Sequence, residues 1–364
     1  MPATNPKQIW DNSCFVAIAQ GRRALAAMLL AVVLAACSDT PDEVGSPPST
    51  DGTMTIALAG DVHFEGPLRD RLADPTQALA ALAPLLAEAD LAVINLETSI
   101  GTTGIPAPKR WRFQAPPSAL AALAAAGVDV VTMANNHAKD FGDVGLAESL
   151  AAAADAEASD PPLSVVGVGA DLTEAFAPAI REVRGTTVAF IGAHSADDPK
   201  ADPTAHWAAA EGKPGVAVVR DDLGPLIDAI RKTSLAVDAV VVFMHWGIQG
   251  ESCPSESQRA TARELADAGA TAVVGAHTHR LQGAGVVNGM YVAYGLGNFV
   301  WSWPGINSGV LTLTLLDGQV VSDSWAPAVI GRDGLPSAAE GQEAEQLASA
   351  FAQLRDCTDL TELD

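Results

Sequence analysis

MTIALAGDVH, residues 54–63, is the stretch on which the fold turns. Residues 54–59 read as a short, apolar strand that ends at Gly60-Asp61, and Asp61 and His63 follow as two side chains able to hold a metal. The pattern then recurs. Residues 91–95 run into Glu97, 128–133 into Asn135-Asn136-His137, 238–244 into His245-Trp246-Gly247, and 271–274 into His277-Thr278-His279. Between these runs lie segments of helical composition at 75–89, 117–126 (closed by Gly127), 144–158, 223–233 and 256–268. Further strands are predicted at 163–168 and 187–192. This alternation predicts βαβ units and a largely parallel, buried sheet. Later the rhythm changes. Strands at 284–294, 309–316 and 319–325 surround Asn288-Gly289 and Asp317-Gly318, two hairpin turn pairs, so a mixed or second, antiparallel sheet is expected. A closing helix is predicted at 340–354.

Five of the seven histidines sit directly after these strands. In open α/β sheets, ligand sites form beyond the carboxyl ends of strands, where residues distant in sequence meet. The collected donors are imidazole, carboxylate and amide oxygen, with no thiolate, a set that suits Mn, Fe, Zn or Mg. A lone D-x-H or H-x-H occurs often by chance. Five such motifs in succession do not.

The 364-residue chain carries a formal charge of −23, which argues against nucleic acid as a partner, because such binding needs a basic surface. Arg22 and Arg23 precede an apolar run, 24–36, and then Cys37; this reads as an export signal, too short to span a bilayer. Leu34-Ala35-Ala36-Cys37 resembles the lipobox of bacterial lipoproteins, which implies lipidation of Cys37 and an anchor on the extracytoplasmic face of a bacterial membrane; the other reading is an ordinary cleaved signal peptide or an uncleaved anchor, with Cys37 incidental. Residues 38–53, rich in Ser, Thr, Pro, Asp and Gly, read as a flexible tether. Cys253 and Cys357 could pair in an oxidising compartment or remain two free thiols. The expected organisation is a signal peptide over 1–37, the tether, a main domain over 54–330 and a C-terminal helical extension over 331–364.

The order Asp-x-His, acid, Asn-His, His, His-x-His resembles that of the calcineurin-like metallophosphoesterases. FQAPP (113–117), ANNHAKDFG (134–142), HWG (245–247), GAHTHRLQ (275–282) and YGLGNFV (294–300) narrow the resemblance to the CapA family, which is associated with synthesis or export of poly-γ-glutamate capsule. The resemblance covers about 54–303 and implies an α/β sandwich of two mixed β-sheets flanked by helices. It also implies two divalent ions. Asp61, His63 and His279 would hold one, Glu97 would bridge, and Asn136, His245 and His277 would complete the second. His137 resembles the histidine that protonates a leaving group or stabilises the transition state. Asp140 either orients that imidazole or caps the helix that follows.

Two departures stand out. The bridging acid of the wider class is usually Asp, and here it is Glu97; CapA-like chains often continue HWG-x-Glu, and this one has Gln249, with Glu251 two residues later. Lys109, Arg110 and Arg112 form a basic cluster in an acidic chain, read as a rim that captures a carboxylate or phosphate, or else as a solvated loop. Arg280 is a second candidate for substrate contact, and Asn298 either positions substrate or satisfies a buried loop. Trp111, Trp246, Phe299 and Trp301 are candidates for pocket walls or for packing, and His194 ends a strand that could face the site.

Two readings follow. One is a metal-dependent hydrolase acting on a phosphoester or related anionic bond of an envelope polymer, alongside membrane capsule-synthesis proteins. The other is a non-catalytic, metal-containing accessory that binds or helps move an anionic polymer. A metal site alone does not define a substrate.

Overall fold

The computed structural model describes residues 53–195, 198 and 204–363. The export signal, Cys37 and nearly all of the tether lie outside them. Two mixed sheets dominate. In the eight-stranded sheet, Thr53–Val62, Leu91–Leu96, Val130–Thr132 and Ser164–Val166 run parallel, and Asn298–Val300 pairs parallel with the end of the first strand. Asn307–Leu316, Gln319–Ile330 and Pro336–Ala338 extend the other side in antiparallel fashion. The six-stranded sheet is parallel through Thr186–His194, Ala239–His245, Ala272–Ala276 and Met290–Ala293, with antiparallel edges at Ala179–Val183 and Ala284–Val287.

The sheets pack face to face. Ile56, Leu58, Val93 and Val130 of one share a buried cluster with Phe190, Val241, Phe243 and Val274 of the other. Because side chains alternate along a strand, Ala57, Ile94, Val131, Val240 and Val242 turn outward. They join a second cluster with Leu120, Leu123 and Leu146 of the helices Ser118–Ala125 and Gly142–Glu157, and with Leu226, Ile230 and Leu265 of Gly224–Ser234 and Glu256–Ala268. The last of these helices is the best specified by sequence: Ser255 and Gln258 form a capping box, and Gly269 ends it in the left-handed conformation.

The predicted helix over 75–89 is broken into Pro75–Ala78, a 3₁₀ turn at Ala80–Leu82, and Ala83–Leu86. Pro84 is the cause, since it removes an amide donor and its ring clashes with the preceding turn. The run at 284–294 is a hairpin, Ala284–Val287 and Met290–Ala293, about Asn288-Gly289, both with positive φ. The region from 331 onward is not helical alone: Pro336–Ala338 adds a strand before the helix Gly341–Gln353, whose Phe351 stacks on Trp325 at 4.2 Å. A disulfide joins Cys253 to Cys357, closing a loop of 104 residues. By chain entropy a link of that length stabilises the fold by about 4–5 kcal/mol.

Register brings the strand ends level. Asp61 lies opposite both Asn95 and Asn298, and His245 opposite both Ala276 and His194. The backbones approach closely here: the Asp61 amide donates to the Gly297 carbonyl at 2.8 Å, and a Cβ on Gly60 would fall 1.9 Å from that oxygen. Only glycine fits there.

Candidate metal centre

Asp61 and Glu97 are both fully buried, Asp61 on the first strand and Glu97 just past the end of its parallel neighbour, Leu91–Leu96. Asn95 donates to Asp61 Oδ1 at 2.7 Å, and the His277 amide donates to Oδ2 at 3.2 Å. His279 Nδ1 lies 3.1 Å from Asp61 Oδ2 and 2.8 Å from Asn298 Oδ1. Across the gap between the sheets, His245 Nε2 stands 2.6 Å from Asn136 Oδ1 and 2.9 Å from His277 Nδ1. Two triads of ligand atoms therefore converge, Asp61–Glu97–His279 and Glu97–His245–His277, each within 4.8 Å. Glu97 belongs to both. His277 and His279 hold φ of 96° and 54°, a left-handed conformation costly for a residue with a Cβ, so the loop is strained into this arrangement.

Glu97 is the member that tests whether cations fit. Neither of its carboxylate oxygens has a hydrogen-bond partner among the described residues; the nearest cationic candidates are His245 at 3.6 Å, His137 at 3.8 Å and His279 at 3.9 Å. A buried carboxylate left this way is costly. Burial and the neighbouring Asp61 raise its pKa well above the usual carboxylate value. Against the cost of burial, Glu97, Asp61 and Asn298 raise the pKa of His279 to about 9. The protein thus holds a proton where two carboxylates face each other, and the donor set of imidazole, carboxylate and amide oxygen fits divalent metal in the same place.

Beside this floor stands an arm. His137 Nδ1 lies 2.5 Å from Asp140 Oδ2, the Lys109 ammonium lies 2.6 Å from Oδ1, and the Phe113 amide donates to Oδ2 at 2.7 Å. The His137 ring stacks on Phe113 at 4.0 Å between centroids. Burial lowers its pKa to about 4, Asp140 opposing and Lys109 adding to the fall. The imidazole is therefore neutral at pH 7, with Nδ1–H donated to Asp140 and a free lone pair at Nε2. Over floor and arm opens a cleft of about 310 Å³, walled by Trp111, Arg112, Phe113, Trp301 and Trp303.

The sequence of residues 55–302 matches the model of a family described as bacterial capsule synthesis protein PGA_cap. The chain belongs to that family. It is 34% identical over 173 residues to the PGA biosynthesis protein CapA of Bacillus subtilis, covering 47% of this chain and 42% of that one. It therefore matches less than half the length of that relative. A Mycobacterium tuberculosis protein named Probable polyglutamine synthesis accessory protein is 31% identical over 311 residues, 80% of this chain and 79% of its own. Among solved structures, a phosphatase from Mycoplasma pneumoniae aligns over 76% of this chain and 94% of its own, with a TM-score of 0.46 and 14% identity.

Every ligand candidate lies within the family segment, but not all take the expected places. His63 stands outside both triads. Its ring nitrogens face the backbone amides of Glu65 and Ser302 at 3.2 Å, and the ring leans on Trp301 and Phe113. Burial, then His137 and His279, lower its pKa to about 3. Lys109 is not on a rim: its side chain is 6% exposed, because the buried Asp140 carboxylate draws the ammonium inward, where it also donates to the Asn136 carbonyl. Asn298 is buried, and its Oδ1 lies 2.8 Å from His279 Nδ1. Arg110 is exposed beside Trp111, and Arg112 and Arg280 are exposed at clefts. Asp140 does not cap the helix at Gly142, which has no side-chain cap. Trp246 and Phe299 are packing residues; Trp111 and Trp301 line the cleft.

Three participants went unread in the sequence. Asp198 Oδ2 lies 3.0 Å from His277 Nε2 and accepts the Gln249 amide at 3.0 Å. Asn95 and Asn135, quoted only as neighbours of ligands, form a buried ladder: Asn135 donates to Asn95 Oδ1 and to the Leu96 carbonyl, and its own Oδ1 receives the His137 amide. His194 sits behind the centre, its nitrogens 3.1 Å from the His245 carbonyl and 3.0 Å from Thr204 Oγ1.

Proposed function

We propose that this chain is a dinuclear-metal hydrolase of the cell envelope, acting on a phosphoester or related anionic bond in polyglutamate capsule biosynthesis or export. The observation that carries the reading is Glu97, a buried carboxylate with no hydrogen-bond partner among the described residues, common to two ligand triads. Asp61 and His279 would hold one divalent ion (Mn, Fe, Zn or Mg), His245, His277 and Asn136 the other, with Glu97 between them. Cations held there would supply Lewis-acid chemistry, polarising a phosphoryl oxygen and lowering the pKa of water toward neutrality. The chain's own contribution lies in the arm. Asp140 holds the His137 proton on Nδ1, so Nε2 is the atom that accepts a proton and returns it to a leaving oxygen. An anionic substrate beside the ring draws its pKa upward from about 4, which favours the protonated form when the leaving group needs it. Phe113, stacked on the ring, keeps it aligned and excludes water from that face.

Export and lipid anchoring through Cys37 belong to the same reading. The disulfide supports an oxidising compartment, since such bonds persist there. Replacing Cys37 by Ser should move the protein from the membrane to the soluble fraction; retention at the membrane would refute the anchor.

The test of the reaction is hydrolysis of bis-(p-nitrophenyl) phosphate with added Mn, with metal content measured on the same preparations. Wild type should hold about two equivalents and turn over; Asp61→Asn and His137→Ala should abolish turnover, and Glu97→Ala should lose metal. Metal bound at full occupancy with no turnover would favour the non-catalytic, polymer-binding accessory instead.

A further inference from the structure

A second pocket of about 290 Å³ adjoins the centre and shares His279 with it. One wall is Arg280 with Ser252; the floor is Trp325 and Phe351, and the far wall is Leu347 and Leu354 of the C-terminal segment. Three features set it apart. First, the Arg280 guanidinium has no hydrogen-bond or ion-pair partner among the described residues, although the chain carries a net charge of −23. An arginine left without a carboxylate in so acidic a protein is available to an anion. Second, Trp325, Leu347, Phe351 and Leu354 all lie beyond residue 302, where the family match ends, so much of the apolar lining comes from outside the matched segment. Third, the disulfide staples the two walls together, since Cys253 follows Ser252 and Cys357 lies three residues after Leu354.

We propose that this pocket is a ligand subsite for a carboxylate-tipped group with an apolar body, the carboxylate on Arg280 and the methylenes over Trp325 and Phe351. One guanidinium matches one monoanionic carboxylate. A phosphate dianion would keep an uncompensated charge above an apolar floor. Because the two cavities meet at His279, a ligand held here by one arm presents its adjacent bond to the metal centre. That last step rests on the function proposed above, whereas binding in the pocket does not.

The test follows the Trp325 indole N–H by NMR in the full chain, stripped of metal and then freed of chelator, with the signal assigned by Trp325→Phe. Pentanoate should shift it saturably with a Kd on the order of millimolar, as suits a ligand of so few atoms. Pentylammonium should not bind, and pentyl phosphate should bind at least about tenfold more weakly. Arg280→Gln should weaken pentanoate by about tenfold or more, and Leu347→Asp, which puts a carboxylate into the pocket with Arg280 intact, should do the same. No shift at Trp325, equal affinity for pentylammonium or pentyl phosphate, or indifference to both substitutions would overturn the proposal. Manganese retained by Arg280→Gln while pentanoate is lost, and pentanoate retained by Glu97→Ala while manganese is lost, would separate this site from the metal centre; loss of both in each variant would overturn the separation.

Discussion

At the floor of the site, Glu97 has no hydrogen-bond partner among the described residues for either carboxylate oxygen, whereas on the adjoining arm Asp140, equally buried, receives the Lys109 ammonium, the His137 ring and the Phe113 amide. Both carboxylates are beyond the reach of water, yet only one is satisfied by protein. The floor is completed from outside, by protons or by cations; the arm is complete in itself. Substitutions that conserve shape should therefore have opposite effects on the stability of the metal-free chain.

The largest effect is expected at Glu97→Gln. On the proposed two-metal reading it removes the shared ligand, so bound metal should fall below two equivalents and turnover should fall to background. The same change removes a carboxyl group whose charged form burial and the neighbouring Asp61 both disfavour, and the metal-free thermal midpoint should rise by several degrees, at about 2–4 °C per kcal/mol for a domain of this size. A metal-free variant less stable than wild type would mean that Glu97 is satisfied in some way other than by cations.

Asp140→Asn is the matching change on the arm. It leaves the Lys109 ammonium, 6% exposed, without its counter-charge, which should cost about 3–5 kcal/mol whether or not metal is bound. Turnover should fall by ~10²–10⁴-fold through loss of His137 alignment, with metal content unchanged. Denaturant unfolding and metal analysis on one preparation decide it. Metal lost together with stability would mean that floor and arm are one unit.

Asp198→Asn probes the floor from behind. With His277 Nδ1 turned to the ligand cluster, the ring proton belongs on Nε2, where Asp198 accepts it. Removing that charge should weaken metal affinity by about 10–100-fold with little change in fold stability. Competition against a coloured chelator reads this directly, and unchanged affinity would remove Asp198 from the centre.

How much of this was legible in the sequence follows from what each residue depends on. Asp61, Glu97, Asn136, His245, His277 and His279 lie at or just past strand ends, and a parallel sheet sends strand ends to one edge, so local pattern sufficed to bring them together. His63 ends a strand too, but backbone amides at Glu65 and Ser302 set its ring orientation, and no spacing rule carries that. Asp198 belongs to no motif; only the fold places it beside a residue 79 positions away. Lys109 was misread because scarce positive charge suggested a solvent-facing rim, when a buried carboxylate 31 residues on had the stronger claim on it. The broken segment at 75–89 follows from Pro84, which apolar composition outvoted.

The smallest expected effect is a pH dependence of the metal-free chain, which again divides floor from arm. Burial brings His63 to about 3, His137 to about 4 and His194 to about 3, and pulls His245 well down. Unfolded, each titrates near 6.5. Between those values the unfolded chain binds protons that the folded chain refuses, so stability is present above about 6.5 and is lost as pH falls, by up to ~1.4 kcal/mol per pH unit for each group. His279 runs the other way: raised to about 9, it stabilises fully below 6.5 and ceases to do so as pH rises through 9. Glu97, also raised, gains from acid, but as a single group against four. The thermal midpoint should accordingly fall between pH 6.5 and 5, and less steeply in His137→Gln, by about one proton's share of the slope. Parallel curves for wild type and variant would show that the arm histidine titrates as freely when folded as when unfolded, and that its burial against Phe113 does not outweigh the pull of Asp140.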